Sequence, residues 1–141
     1  MDSHKSLLQY RFPASTSRLG DVRKRLTEFL SAFGPSKSFV RFVVLAVNEA
    51  VANIIQHAYG DDDSGDIILE VEQVGERLLF RLTDFARRKP NLAEIRPRDL
   101  DDVRPGGLGW HIINEVMDEV KVLEGDGWTN VLQMTKKLES R

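Results

Sequence analysis

The order of hydropathy patterns along this 141-residue chain predicts an α/β (α+β) two-layer sandwich with helices on one face of a mixed, mainly antiparallel sheet. Three observations carry that prediction. Two helical patterns precede the first pair of alternating segments, and the second of them is apolar nearly all round. Two hairpin patterns follow, separated by a glycine-opened helix. The length suffices for one core and is short for two ordinary domains, so residues 1–141 are expected to form a single unit with its core at about 7–138.

Leu7 to Phe12 reads as the first strand. Ser15-Thr16-Ser17 can cap the helix that follows, Arg18 to Phe33, which Gly34-Pro35 stops. Ser36 or Ser38 then caps a long helix ending near Tyr59-Gly60. In that helix Val40, Val43, Val44, Val47, Val51 and Ile54 form one stripe, and Phe42, Leu45, Ala46 and Ala52 make the other side apolar too. Both faces are therefore expected to be covered. Asp66 to Gln73 and Arg77 to Asp84 alternate as a hairpin with Ile67, Leu69 and Val71 inward. Residues 85–105 are charged, proline-containing and without periodicity, which suggests a lid or a partner loop. A helix through Trp110, Ile112, Ile113, Val116 and Met117 leads to a second hairpin, Asp118 to Leu123 and Trp128 to Leu138.

Composition excludes several classes. Twenty Lys and Arg against 22 Asp and Glu give a formal charge of −2, without the electrostatic footprint of a general nucleic-acid binder. With no cysteine, disulfides, thiolate catalysis and cysteine-ligated zinc are out. Met1 to Lys5 lacks a charged-then-apolar leader, and no apolar run reads as approaching the roughly 18 residues of a membrane span. A cytoplasmic setting without membrane insertion is the expectation.

Three constellations carry chemistry. Glu49 and Asn53 lie four residues apart on the long helix, hence stacked on one side of it. A carboxylate among apolar neighbours needs a partner or a task, and an amide oxygen beside it is a hard ligand for a divalent cation. The competing role is structural, with Asn53 bonded to backbone and Glu49 to a distant Lys or Arg. Downstream, Arg104-Pro105-Gly106-Gly107-Leu108-Gly109 opens a helix. Such a segment can converge amides on an anion at a favourable dipole, or serve only as a flexible loop. Third, Asp84 continues the inward row Leu78, Phe80, Leu82, where it could cap a turn or accept a hydrogen bond from an exocyclic purine amine.

Together and in this order, these segments resemble the N, G1 and G2 boxes of the GHKL (Bergerat-fold) ATPases. Glu49-Ala50-Val51-Ala52-Asn53 with His57-Ala58-Tyr59, and Gly106-Gly107-Leu108-Gly109 leading to Met117-Asp118-Glu119-Val120, are similar to the anti-sigma factor serine/threonine kinases of bacterial partner-switching systems. That resemblance implies a Bergerat-type ATP-binding kinase domain using ATP and Mg2+. Glu49 would be the general base and Asn53 the magnesium ligand. Asp84 would bond the adenine amine, and Gly106, Gly107, Leu108 and Gly109 would cradle phosphates. His57 would border the phosphates or be a rim residue, and Thr129 or its neighbour Asn130, with Thr129 favoured, would sit near adenine. It also implies a homodimer, a sigma factor and a STAS-type anti-anti-sigma factor as partners.

The chain departs from the family at the G1 box. Asp84-Phe85-Ala86-Arg87-Arg88-Lys89-Pro90 has Ala86 where glycine is usual, and the added methyl could crowd adenine. Arg87, Arg88 and Lys89 could neutralise phosphates, grip an acidic partner or keep a loop soluble. The alternative reading is therefore a non-catalytic Bergerat-fold binding module that regulates a partner by docking alone.

Overall fold

The computed structural model describes residues 4–33, 35–58, 65–86, 107–124 and 129–138. Five strands, β1 His4–Pro13, β2 Asp66–Val74, β3 Arg77–Asp84, β4 Glu119–Glu124 and β5 Asn130–Lys137, form one sheet in the order β1-β2-β3-β5-β4. Each of these pairings is antiparallel, so the sheet expected to be mixed is antiparallel throughout its described strands. Three α-helices accompany it: α1 Leu19–Ser31, α2 Lys37–Asn53 and α3 Gly107–Val116.

Register explains the core. Phe12, Ile67, Leu69, Val71, Leu78, Phe80, Leu82 and Met134 are all buried, and they recur at every second position of their strands. One inward row runs Phe12, Ile67, Asp84, Asn130 across four strands. It begins apolar and ends in two buried polar side chains, which is where the core becomes a site. β1 carries a register shift between Ser6 and Leu8 and extends three residues before the strand predicted from Leu7.

The helices lie against that face through Val22, Leu26 and Leu30 of α1 and through Val40, Val43, Val44, Val47 and Val51 of α2. Fully burying each such side chain stabilises the fold by about 1.5–3 kcal/mol. Ser36 is the cap of α2, its hydroxyl accepting from the Phe39 amide at 3.1 Å, an interaction of about 1 kcal/mol. The expectation that α2 is covered on both faces holds for its second half only. Phe42 is 54% exposed and Leu45 38%, so the first half presents an apolar edge outward.

Past Asn53, α2 continues as a π turn, Ile54–Ala58, with Ile54 and Ile55 buried. Within Lys37–Gln56 an 18-residue window has mean hydropathy 1.6, and the helix is long and apolar enough to cross a membrane by length and composition. This corrects the reading that no apolar run nears that length. Its setting is that of a core helix, since most of it is buried by the sheet and its neighbours.

Candidate functional site

α2 carries Glu49 and Asn53 side by side near its C-terminal end. Asn53 is buried, and its Oδ1 has no hydrogen-bond partner among the described residues. Leaving a buried amide oxygen unsatisfied costs about 1–3 kcal/mol, which the fold tolerates where a ligand completes the bond. Glu49 is half-buried. α3 packs on α2 and brings Gly109 against the Glu49 side chain. A β-carbon at Gly109 would collide with Glu49 Oε2 and stand only 3.1 Å from its Cδ and 3.3 Å from its Cβ. A side chain here would force the Glu49 carboxylate to shift, because the carboxylate occupies the space that a β-carbon would fill.

A second cluster forms where β3 meets β5. Asp84 ends β3 and is 2% exposed; Asn130 opens β5 directly opposite it and is 6% exposed. Asn130 Nδ2 donates to Asp84 Oδ1 at 2.8 Å and to the Ala86 carbonyl at 3.1 Å. The Ala86 amide donates to the same Asp84 oxygen at 3.1 Å. Burial pushes the Asp84 carboxyl above its ordinary value of 3.8, and the bonds from Asn130 and Ala86 act in the opposite sense. Ala86 is itself buried, with both backbone polar groups engaged in this cluster.

The residues singled out from sequence thus fall into two groups. Glu49, Asn53 and Gly109 share the α2–α3 contact, while Asp84 and Ala86 share the β3–β5 end. Gly107 opens α3, followed by Leu108. Thr129 is half-buried just before β5, and its neighbour Asn130 is the one bonded to Asp84. His57 lies in the π turn, but its side chain falls outside the described residues, as do Gly106 and nearly all of the segment expected to form a lid, 87–105.

Sequence reading missed Asn48. It is buried on the α1 side of α2, where Nδ2 donates to the Leu19 carbonyl at 2.9 Å and Oδ1 accepts from Arg23 Nη1 at 3.4 Å. The available signal was an amide side chain inside an otherwise apolar helical stretch, overlooked beside Glu49. Among the described residues no group of three His, Asp or Glu side chains could hold a metal alone. A cation here would need ligands beyond the described residues, and the Asn53 oxygen, unpartnered among them, fits such shared ligation. Separately, a groove of about 1070 Å³ lies between α1 and α2, with Val40 and Val44 apolar and Arg23, Lys24, Lys37 and Arg41 basic. It shares Arg23 with the Asn48 contact but includes none of Glu49, Asn53, Asp84, Ala86, Gly109 or Asn130.

Comparison with known proteins agrees with this arrangement. The family model of the histidine kinase-like ATPase domain matches residues 12–136. The serine-protein kinase RsbW of Bacillus velezensis is 30% identical over 145 residues, covering 98% of this chain and 89% of the relative. In the SiaB–SiaC complex from Pseudomonas aeruginosa, a chain superposes with TM-score 0.70 at 16% identity, over 92% of this chain and 89% of that one. The RsbU and RsbW domains of Rv1364c from Mycobacterium tuberculosis give TM-score 0.66 at 21% identity, over 93% of this chain and 31% of that one. At such identities the two structures speak for the fold. With the family match spanning nearly all described strands and helices, the chain belongs to the histidine kinase-like ATPase domain family, among the relatives of the RsbW serine-protein kinases.

Proposed function

We propose that this protein is an ATP-dependent serine/threonine protein kinase and anti-sigma factor, which phosphorylates a STAS-type anti-anti-sigma partner and sequesters a sigma factor. The observation that carries the kinase assignment is the seating of Glu49 on Gly109, one helical turn from the unpartnered Asn53 oxygen. A carboxylate, a hard amide ligand and the first turn of a helix then converge on one place, in a family of ATPase domains.

Glu49 is the general base. It accepts the proton of the partner's seryl or threonyl hydroxyl as that oxygen bonds to the γ-phosphorus, while the bond from phosphorus to the bridging oxygen of ADP breaks. Asn53 supplies a ligand to Mg2+, whose charge, when bound, offsets that of the phosphates. Amides around Gly106, Gly107, Leu108 and Gly109 hold phosphate oxygens at the positive end of α3. Asp84 accepts a hydrogen bond from adenine, with Thr129 nearby and His57 bordering the phosphates.

The rest of the proposal concerns organisation. Residues 1–141 make one ATP-binding kinase domain with segment 85–105 as its lid, working as a cytoplasmic homodimer. The basic α1–α2 groove offers a partner protein an apolar floor with a cationic rim.

The test is phosphoryl transfer to a STAS-domain protein from the same genome. Glu49→Gln is expected to keep ATP affinity within about twofold and to lower transfer by at least roughly 100-fold, in the range general-base catalysis contributes. Unchanged turnover would remove Glu49 as the base. The docking-only reading is favoured by Ala86 at the family's glycine position; it gains if the wild type captures its partner yet transfers no phosphate.

A further inference from the structure

We propose that Asn130 is a specificity-determining positioning residue: by engaging Asp84 Oδ1 it leaves Oδ2 as the acceptor for an exocyclic amine, and so selects adenine over guanine. The inference rests on the nucleotide-site reading above and adds a residue and a role to it.

The geometry is specific to one oxygen. Asp84 Oδ1 accepts from both the Asn130 side chain and the Ala86 amide, at 2.8 and 3.1 Å. Oδ2 accepts none among the described residues. Asn130 in turn directs its amide nitrogen to two acceptors, Asp84 Oδ1 and the Ala86 carbonyl, so its orientation is fixed by both. All three residues are buried, which makes each bond count for more than it would in water. A carboxyl held in this way cannot exchange its oxygens freely, and the acceptor offered to a ligand is always the same atom.

Purine chemistry then decides between bases. Adenine carries an amine at position 6, a donor that a carboxylate oxygen receives. Guanine carries a carbonyl there, and two acceptors facing each other in a buried site leave both unsatisfied. The Asn130 bond also favours the ionised form of Asp84, against the effect of burial. Without Asn130 the carboxyl is freer to turn and to hold a proton, and a protonated carboxyl can donate to the guanine carbonyl. Selectivity thus depends on Asn130 even with no contact between Asn130 and the base.

The experiment measures affinities of the full-length chain for ADP, GDP and purine riboside diphosphate, which lacks the 6-amino group, each with magnesium. Asn130→Ala is compared with wild type and with Asn130→Thr, which retains one hydroxyl donor and guards against a folding defect in the alanine variant. The expected result is a preference for ADP over GDP that falls roughly tenfold in Asn130→Ala, with Asn130→Thr intermediate and purine riboside diphosphate affinity unchanged. If wild type prefers ADP and both variants keep that ratio, Asn130 has no such role although the nucleotide site stands. A parallel loss for all three ligands makes Asn130 merely structural and also overturns the proposal. Failure of wild type to bind any of the three overturns this inference together with the nucleotide reading.

Discussion

At the β3–β5 end of the site, Asp84, Ala86 and Asn130 are buried and bonded to one another. At the α2–α3 end, Asn53 Oδ1 is buried with no partner among the described residues, and Glu49 lies in contact with a glycine. The first end is organised before any ligand arrives. The second keeps an unmet acceptor, so its bonding is completed by what binds. A base has a fixed pattern of donors to be read, which suits a rigid reader. A phosphate chain with its cation arrives with surplus charge and hydration, which suits groups not already satisfied by the protein.

The largest expected effect tests whether contact with glycine positions Glu49. Gly109→Ala should lower phosphoryl transfer by on the order of 100-fold, the scale of a displacement near 1 Å in a catalytic group. It should also destabilise the ligand-free protein by about 1–3 kcal/mol through overpacking. In urea titrations that loss should largely disappear when Glu49→Ala is combined with it. Equal destabilisation in both backgrounds would mean that Gly109 is needed for another reason and would dissolve the contrast between the two ends.

Asn53→Leu addresses the unmet acceptor. Replacing a buried, unpartnered amide with an apolar side chain of similar volume should stabilise the ligand-free protein by about 1 kcal/mol while removing the strengthening of ATP binding by magnesium. Calorimetry with and without the cation measures the second effect. A loss of stability would show that Asn53 is satisfied after all.

The smallest effect belongs to Asp84. Its folded-state pKa is raised above 3.8, so between that ordinary value and the raised one the folded state holds more proton than the unfolded state. Stability linked to this group is therefore fully present below 3.8 and is lost as pH rises through the folded value. Asp84→Asn removes the linkage. The difference in stability, variant minus wild type, should grow as pH is raised from about 4 toward neutrality. A flat difference would mean that the bonds from Asn130 and Ala86 cancel desolvation, and a shrinking one that they outweigh it.

How much of this was legible in the sequence follows from the range of each contact. The Glu49–Asn53 pair is a matter of helical spacing, and Asp84 continues a two-residue alternation, so both were read locally. The Asn130–Asp84 bond joins positions 46 residues apart and depends on strand register, which the hairpin pattern alone does not specify. Resemblance favoured Thr129, one residue away, and a single step along a strand reverses the face. The Gly109 contact was hidden similarly: the glycine cluster suggested amides directed at an anion, and to this the structure adds room made for a carboxylate. The outward Phe42 and Leu45 were misjudged because composition reveals that a helix is apolar but not how far its neighbours reach.

The strand order β1-β2-β3-β5-β4 has a consequence for assembly. Only β2–β3 and β4–β5 are paired strands with no helix between them in the chain, each able to form as a local hairpin. The β1–β2 and β3–β5 ladders both require long loops to close, and such closures set the pace of folding. The β3–β5 seam joins the chain's earlier elements to its last hairpin, and Asp84 and Asn130 are the rung at one end of that seam. The Asp84–Asn130 end, the proposed reader of the base, therefore does not exist until the two parts of the chain have docked. A purine seated there would act as a molecular clasp, holding shut a join between residues 46 apart in the chain.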